Sequence, residues 1–297
     1  FLRVSRVVGQ SGIILALVTV LLGNVVTTLT TLSMSAVATN GRIQAGGVYY
    51  MISRSLGPEF GGSIGLMFTL ANSIAAATYI IGFCDSLKDL LKYYANGAII
   101  VDGGVNDTRI VGTVTLIAVL ALAIVGMDWV TRVQMALLFL LIGSQIDFVV
   151  GAFMGPLNED QEAQGFLGLS GDLLSENVGP DYRDDDGMEQ NFFSVFGVFF
   201  TAVTGIVAGA NLSGDLKDPA EAIPKGTLLA ILTTCITYLI YPIFIGAAML
   251  RDASGNTTLY LEYKDEPYWN NPAFANCSKT GYEDELGNPV CEFGTQN

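Results

Sequence analysis

The stretch Phe192–Asp218, FFSVFGVFFTAVTGIVAGANLSGDLKD, decides the fold of this chain. It is apolar and long enough to cross a membrane, yet Gly205, Gly209 and Gly214 interrupt it among small hydroxyl residues. This pattern predicts a spanning helix that unwinds partway. An unwound turn that faces a cavity exposes amides, which bind anions, and carbonyls and hydroxyls, which bind cations. The alternative is a continuous, closely packed helix, because glycine is common in spanning segments.

The whole sequence is typical of a membrane protein. Its 297 residues are 51% hydrophobic and 14% charged, and uncharged runs of membrane-spanning length recur along it. We therefore predict an all-α, polytopic fold with spans over residues 11–38, 60–84, 110–126, 133–153, 191–214 and 226–250. Residues 1–10 are too short to cross and are expected to be the outer half of a helix. We expect residues 1–250 to be part of a transport domain and 251–297 part of an outer loop of a longer protein.

Three loops fall on the same side of the membrane when the spans are counted, namely residues 93–109, 156–190 and 251–297. Two of them carry sequons, which predict N-glycosylation at Asn106, Asn256 and Asn276 and place this side outside the cell. Cys277 and Cys291 share an outer loop, so they can form a disulfide with each other, or either can pair with a cysteine outside this sequence.

The formal net charge of −14 is concentrated in these outer loops, where Glu159, Asp160 and Glu162 are expected to form part of a solvated surface. Nucleic-acid binding is not expected without a basic patch. The chain contains no histidine, and it shows no cysteine cluster, nucleophile elbow or P-loop. We therefore predict that it is not an enzyme and has no cofactor or resident metal.

Four segments carry a family resemblance. They are Ser33–Leu66, Gly82–Leu87, Gly126–Trp129 and Thr204–Ala230, the last with the sequence TGIVAGANLSGDLKDPAEAIPKGTLLA. These motifs resemble the electroneutral cation-chloride cotransporters. The AGANLSGDLKDP motif, Tyr79 and the long loop after residue 250 are most similar to the sodium-potassium-chloride branch. The sodium-chloride and potassium-chloride branches are the alternatives within the family.

The resemblance implies an inverted-repeat (5+5) fold of the amino acid-polyamine-cation transporter type. This chain would contain only the part of that fold from the outer half of helix 1 through helix 7. Arg42–Gly57 would be a short helix that lines the cytoplasmic face. It further implies a homodimer in the plasma membrane that moves sodium, potassium and chloride together by alternating access. The alternatives from other classes are an amino-acid permease that binds a zwitterion at the same broken helices, and a non-transporting receptor or scaffold.

The resemblance also implies site residues. Potassium would be bound by the hydroxyls of Tyr79 and Thr204 and by the carbonyl of Thr201, which stands where the family has proline. From the residues alone, Tyr79 can equally be a packing aromatic.

Chloride would be held by the backbone amides of Gly205, Ile206 and Val207, and Gly205 permits the required unwinding. Arg3 and Asp85 match an extracellular gate, and the alternative is that both charges simply reach water at helix ends. The family's sodium site and second chloride site draw on segments outside this sequence.

Overall fold

The computed structural model describes residues 3–40, 47–94, 104–183, 189–211, 213–214, 216–275, 291 and 293–296. Within these ranges the chain is helical, and its only β pairing is two isolated bridges. The helices are α1 Val4–Thr39, α2 Gly47–Leu56, α3 Pro58–Tyr94, α4 Val105–Val125, α5 Met127–Met154, α6 Glu159–Ala163, α7 Gly171–Glu176, α8 Phe192–Phe200, α9 Ala208–Asn211, α10 Pro219–Ala248, α11 Thr257–Glu262 and α12 Pro272–Ala275. The prediction of an all-α fold is confirmed.

Six segments are long and apolar enough to cross a membrane, and each coincides with one predicted span. They are Val4–Thr39, Pro58–Lys88, Val105–Val125, Trp129–Met154, Phe192–Asn211 and Pro219–Ala248. Their apolar side chains are largely exposed, as expected for surfaces that contact lipid. In contrast, α2 has ten residues, or about 15 Å at 1.5 Å per residue, and is too short to span. The polytopic architecture and the non-spanning α2 both match the prediction.

Helix α1 is divided at Gly12, which has φ 69° and ψ 173°. The short part before Gly12 corresponds to the helix half predicted over residues 1–10. A side chain at position 12 would also be excluded sterically, since its Cβ would lie 2.2 Å from the carbonyl oxygen of Gly179. The loop between α5 and α8 contacts this break, because the amide of Ile13 donates to the carbonyl of Asn177 at 2.8 Å.

Asn177 joins the break in α1 to the end of α10. Its side chain is buried and its Nδ2 donates to the carbonyl oxygens of Gly246 at 2.8 Å and Met249 at 3.1 Å. These carbonyls belong to the end of a helix, where the last four lack an intrahelical partner. A single loop residue thus satisfies backbone groups of two spanning segments.

The chain divides into two compact units, Phe1–Val48 with Gln145–Asn297 and Tyr49–Ser144. In the first unit, α1 packs along α10 and α8, and Val8, Val20, Phe199 and Ile245 form much of the core. In the second unit, α3 packs against α4, where Gly112 lies close to Ile80 and Cys84.

The loop between α5 and α8 and the loop after α10 pack together through a small apolar cluster and through acidic side chains. Leu173, Leu250 and Phe274 belong to the cluster. The acidic side chains hold the two loops together in three side-chain pairs: Glu159 accepts from Lys264 at 3.0 Å, Asp160 from Thr257 at 2.9 Å and Glu162 from Tyr260 at 2.6 Å. Burial and the bond to Glu162 raise the pKa of Tyr260, so it remains a donor at neutral pH. These acidic side chains were expected only to form part of a solvated surface, but in the structure they also connect the two loops.

Candidate ion site at the helix break

The spanning segment Phe192–Asn211 is broken at the position that its glycines predict. Helix α8 ends at Phe200, and a 3-10 turn follows over Thr201–Val203. Thr204 is extended, with φ −73° and ψ 160°, and Gly205 has φ 98°. Such a positive φ is accessible mainly to glycine. The alternative of a continuous packed helix is wrong, and the break forms with threonine, not proline, at position 201.

The break leaves three consecutive backbone amides without acceptors. In the described part of the chain, the N–H groups of Gly205, Ile206 and Val207 donate no hydrogen bond, whereas the amide of Ala208 donates to the Gly205 carbonyl at 2.9 Å. Free amides in a membrane interior are costly unless a ligand or water accepts from them. These are the amides that the family resemblance assigns to chloride, and chloride binding by them stays a prediction.

Thr201 and Thr204 are brought together at the start of the same break. The Thr204 hydroxyl donates to the Thr201 carbonyl at 2.7 Å, and the Thr201 hydroxyl donates to the Val198 carbonyl at 2.8 Å. Each hydroxyl has a single proton, so both retain only lone pairs for a further partner. Two of the three predicted potassium ligands therefore lie side by side and present acceptor oxygens.

A cavity of about 520 Å³ lies against the break. It is open on one side and is lined by residues of α1, of the segments 202–206 and 208–209 and of α10, all within the first unit. None of the described residues that line it carries a charge. Its polar side chains are Asn24, Thr27, Thr204, Thr227, Thr234 and Tyr238. Except for Thr204, sequence reasoning missed these residues, although polar side chains inside apolar spans were a signal that could have found them.

The third predicted potassium ligand, Tyr79, and the two predicted gate residues do not belong to the helix break. Tyr79 lies in α3 of the second unit and is 65% exposed. Asp85 lies one turn and a half further along α3, where its carboxylate is 3.9 Å from Lys88. Arg3 immediately precedes α1 in the first unit. Potassium binding by Tyr79 and a gate between Arg3 and Asp85 both stay predictions.

The predicted modification sites in the described residues are accessible. Asn106 is exposed in the first turn of α4, and Asn256 is exposed at the start of α11, where its Oδ1 accepts from the Leu259 amide at 3.1 Å. Asn276 and Cys277 lie outside the described residues. Cys291 is disulfide-bonded, and its pairing with Cys277 stays a prediction.

The amino acid permease family profile matches residues 1–268. The bumetanide-sensitive sodium-(potassium)-chloride cotransporter of Manduca sexta is 53% identical over 300 residues, covering 100% of this chain and 27% of that protein. Human solute carrier family 12 member 2 is 48% identical over 256 residues, or 86% of this chain and 20% of that protein. Human solute carrier family 12 member 1 is 46% identical over 256 residues, or 86% of this chain and 23% of that protein.

The chain belongs to the amino acid permease family. It is a multi-pass protein of the plasma membrane, and its similarity to these relatives confirms the resemblance to the sodium-potassium-chloride branch of the cation-chloride cotransporters. The chain spans about a quarter of the length of the relatives that it matches.

Proposed function

We propose that the protein of which this chain is part carries sodium, potassium and chloride together across the plasma membrane by electroneutral, alternating-access symport. The observation that carries the proposal is the break itself. The amides of Gly205–Val207, which find no acceptor among the described residues, and acceptor oxygens at Thr201 and Thr204 lie within one turn, and part of this turn lines a cavity whose described lining carries no charge. Such a turn offers donors to an anion and acceptors to a cation.

Electroneutrality follows from placing opposite charges in one site. Moving one elementary charge through the membrane potential changes the free energy by about 2.3 kcal/mol per 100 mV. A bound cation next to an amide-held chloride cancels the charge of that pair, and a carrier that also binds sodium reorients without a net charge when a second chloride is bound. In this scheme Tyr79 contributes the third potassium ligand, and Arg3 and Asp85 close the outer entrance.

Ion-replacement uptake experiments on the full-length protein test this function. Rubidium uptake in expressing cells should require both external sodium and external chloride, and voltage clamp should detect no accompanying current. Uptake that persists without sodium would favour the potassium-chloride branch, and sodium uptake that does not need potassium would favour the sodium-chloride branch. Uptake of amino acids, or no flux at all from protein at the cell surface, would contradict the proposal. The homodimer also stays a proposal, which cross-linking in membranes would test.

A further inference from the structure

The cavity has one wall formed by the helix break, which includes N–H donors and the Thr204 hydroxyl oxygen, and another formed by α1 and α10. The break supplies N–H donors from Gly205 and Ile206. The facing wall is formed by α1 and α10 and carries the side chains of Asn24, Thr27 and Thr234. The proton positions on these three side chains decide what the second wall can bind.

The threonine hydroxyls on this wall have already used their protons. Thr27 donates to the Asn24 carbonyl at 3.1 Å, and Thr234 donates to the Ala230 carbonyl at 2.8 Å. A hydroxyl has one proton and two lone pairs. For a ligand in the cavity, Thr27 and Thr234 therefore offer only acceptor oxygens.

The side chain of Asn24 also uses a donor on a helix carbonyl and keeps an acceptor oxygen for a ligand. One of its terminal atoms lies 2.8 Å from the Val20 carbonyl oxygen. Because that carbonyl can only accept, this atom is the amide nitrogen, and the other is Oδ1. Asn24 is 9% exposed and lines the cavity, and Oδ1 accepts no hydrogen bond from the described residues. This amide oxygen is therefore available as an acceptor for a ligand in the cavity.

We propose that Asn24, Thr27 and Thr234 form a further binding position for a monovalent cation, separate from Tyr79, Thr201 and Thr204. Neutral oxygens suit an alkali cation, whereas calcium and magnesium sites use carboxylates, and none of the described lining residues is charged. The volume of about 520 Å³ equals roughly 17 waters at ~30 Å³ each, so the ion binds here partly hydrated. The inference rests on the proposed function, because it assigns this wall to one of the transported cations and the break to the transported anion.

Adjacent threonines of α10 provide a matched test. Thr233 also donates to a helix carbonyl, that of Leu229 at 2.8 Å, but it does not line the cavity. Thr234→Val and Thr233→Val remove the same atom from the same helix. In cells expressing the full-length protein, uptake is measured against external rubidium, sodium and chloride. Thr234→Val should raise the half-maximal concentration of rubidium or sodium about three- to tenfold, with chloride within twofold, because one neutral cation ligand is lost. Thr233→Val should match wild type, and Thr234→Ser should restore the affinity.

Asn24→Leu provides a second variant of similar shape, with Thr30→Val on the exposed side of α1 as its control. If Thr234→Val does not reach the surface, Thr234→Ala makes the same comparison. Cation affinities equal to those of the Thr233→Val control, or a shift in chloride affinity alone, would overturn the inference. Wild-type protein that shows no sodium- and chloride-dependent rubidium uptake would instead refute the proposed function.

Discussion

The Thr204 hydroxyl donates to the Thr201 carbonyl oxygen across 2.7 Å, at the point where the spanning segment Phe192–Asn211 unwinds. This bond uses the only proton of the hydroxyl. The Thr204 hydroxyl and the Thr201 carbonyl therefore offer only acceptor oxygens to a ligand. The next three amides, at Gly205–Val207, have the opposite character and donate no hydrogen bond within the described chain. A single turn, in which no side chain is charged, thus holds acceptor oxygens next to donor amides.

Gly205→Ala should weaken chloride binding. Residue 205 has φ 98°, where an L-residue costs about 1–2 kcal/mol, so alanine would pull the turn toward a helical conformation and misalign the amides. We expect about a 5- to 30-fold increase in the chloride concentration for half-maximal uptake.

Gly197→Ala is the control for that experiment. Like Gly205, Gly197 has open space around its Cβ position, but it lies inside helix α8, where alanine is favoured. Chloride affinity that is unchanged in Gly205→Ala, or equally reduced in Gly197→Ala, would show that the conformation of the break does not set anion binding.

Tyr79→Phe should weaken potassium binding while preserving the ring. Loss of a hydroxyl that binds a buried ion costs about 1–3 kcal/mol, which corresponds to roughly a 5- to 150-fold lower apparent potassium affinity. The apparent potassium affinity is measured from the competition of external potassium with rubidium uptake. A variant that reaches the surface with unchanged affinity and rate would identify Tyr79 as a packing residue.

The order of the spans and the position of the break were predictable because both are local. Span length follows from apolar runs, and the break follows from Gly205, the residue that tolerates a positive φ. The contact of Glu162 with Tyr260 was not predictable, since 98 residues separate them and a loop sequence does not encode its partner. Asn24 was missed for a similar reason. Its polar side chain was visible in the sequence, but its position facing the break depends on packing between α1 and α10.

Arg3 and Asp85 should be coupled during transport if they form the outer gate. Neutralising either charge, with Arg3→Gln or Asp85→Asn, should slow rubidium uptake, and exchanging the two charges should partly restore it. The single and double variants form a cycle whose interaction term should be about 0.5–3 kcal/mol for contacting groups. Single effects that add without interaction would instead support two independent charges at helix ends.

The sequons should carry glycans if their loops are extracellular. Glycosidase treatment of the full-length protein should increase its gel mobility, and the change should become smaller as Asn106, Asn256 and Asn276 are replaced by Gln in turn. Asn211→Gln is the control, because the sequon at Asn211 belongs to α9 on the opposite side by span counting. Identical mobility of the triple variant and wild type, with and without glycosidase, would contradict the assigned topology.

The most direct test of the ion site compares Thr204→Val with Thr204→Ser in the full-length protein. Valine keeps the branched shape and removes the oxygen that lies beside the Thr201 carbonyl, whereas serine keeps that oxygen. Rubidium uptake measured against external potassium should show an apparent affinity lowered about 5- to 150-fold in Thr204→Val and close to wild type in Thr204→Ser. Equal potassium affinities for the two variants, both present at the cell surface, would contradict potassium binding at the helix break.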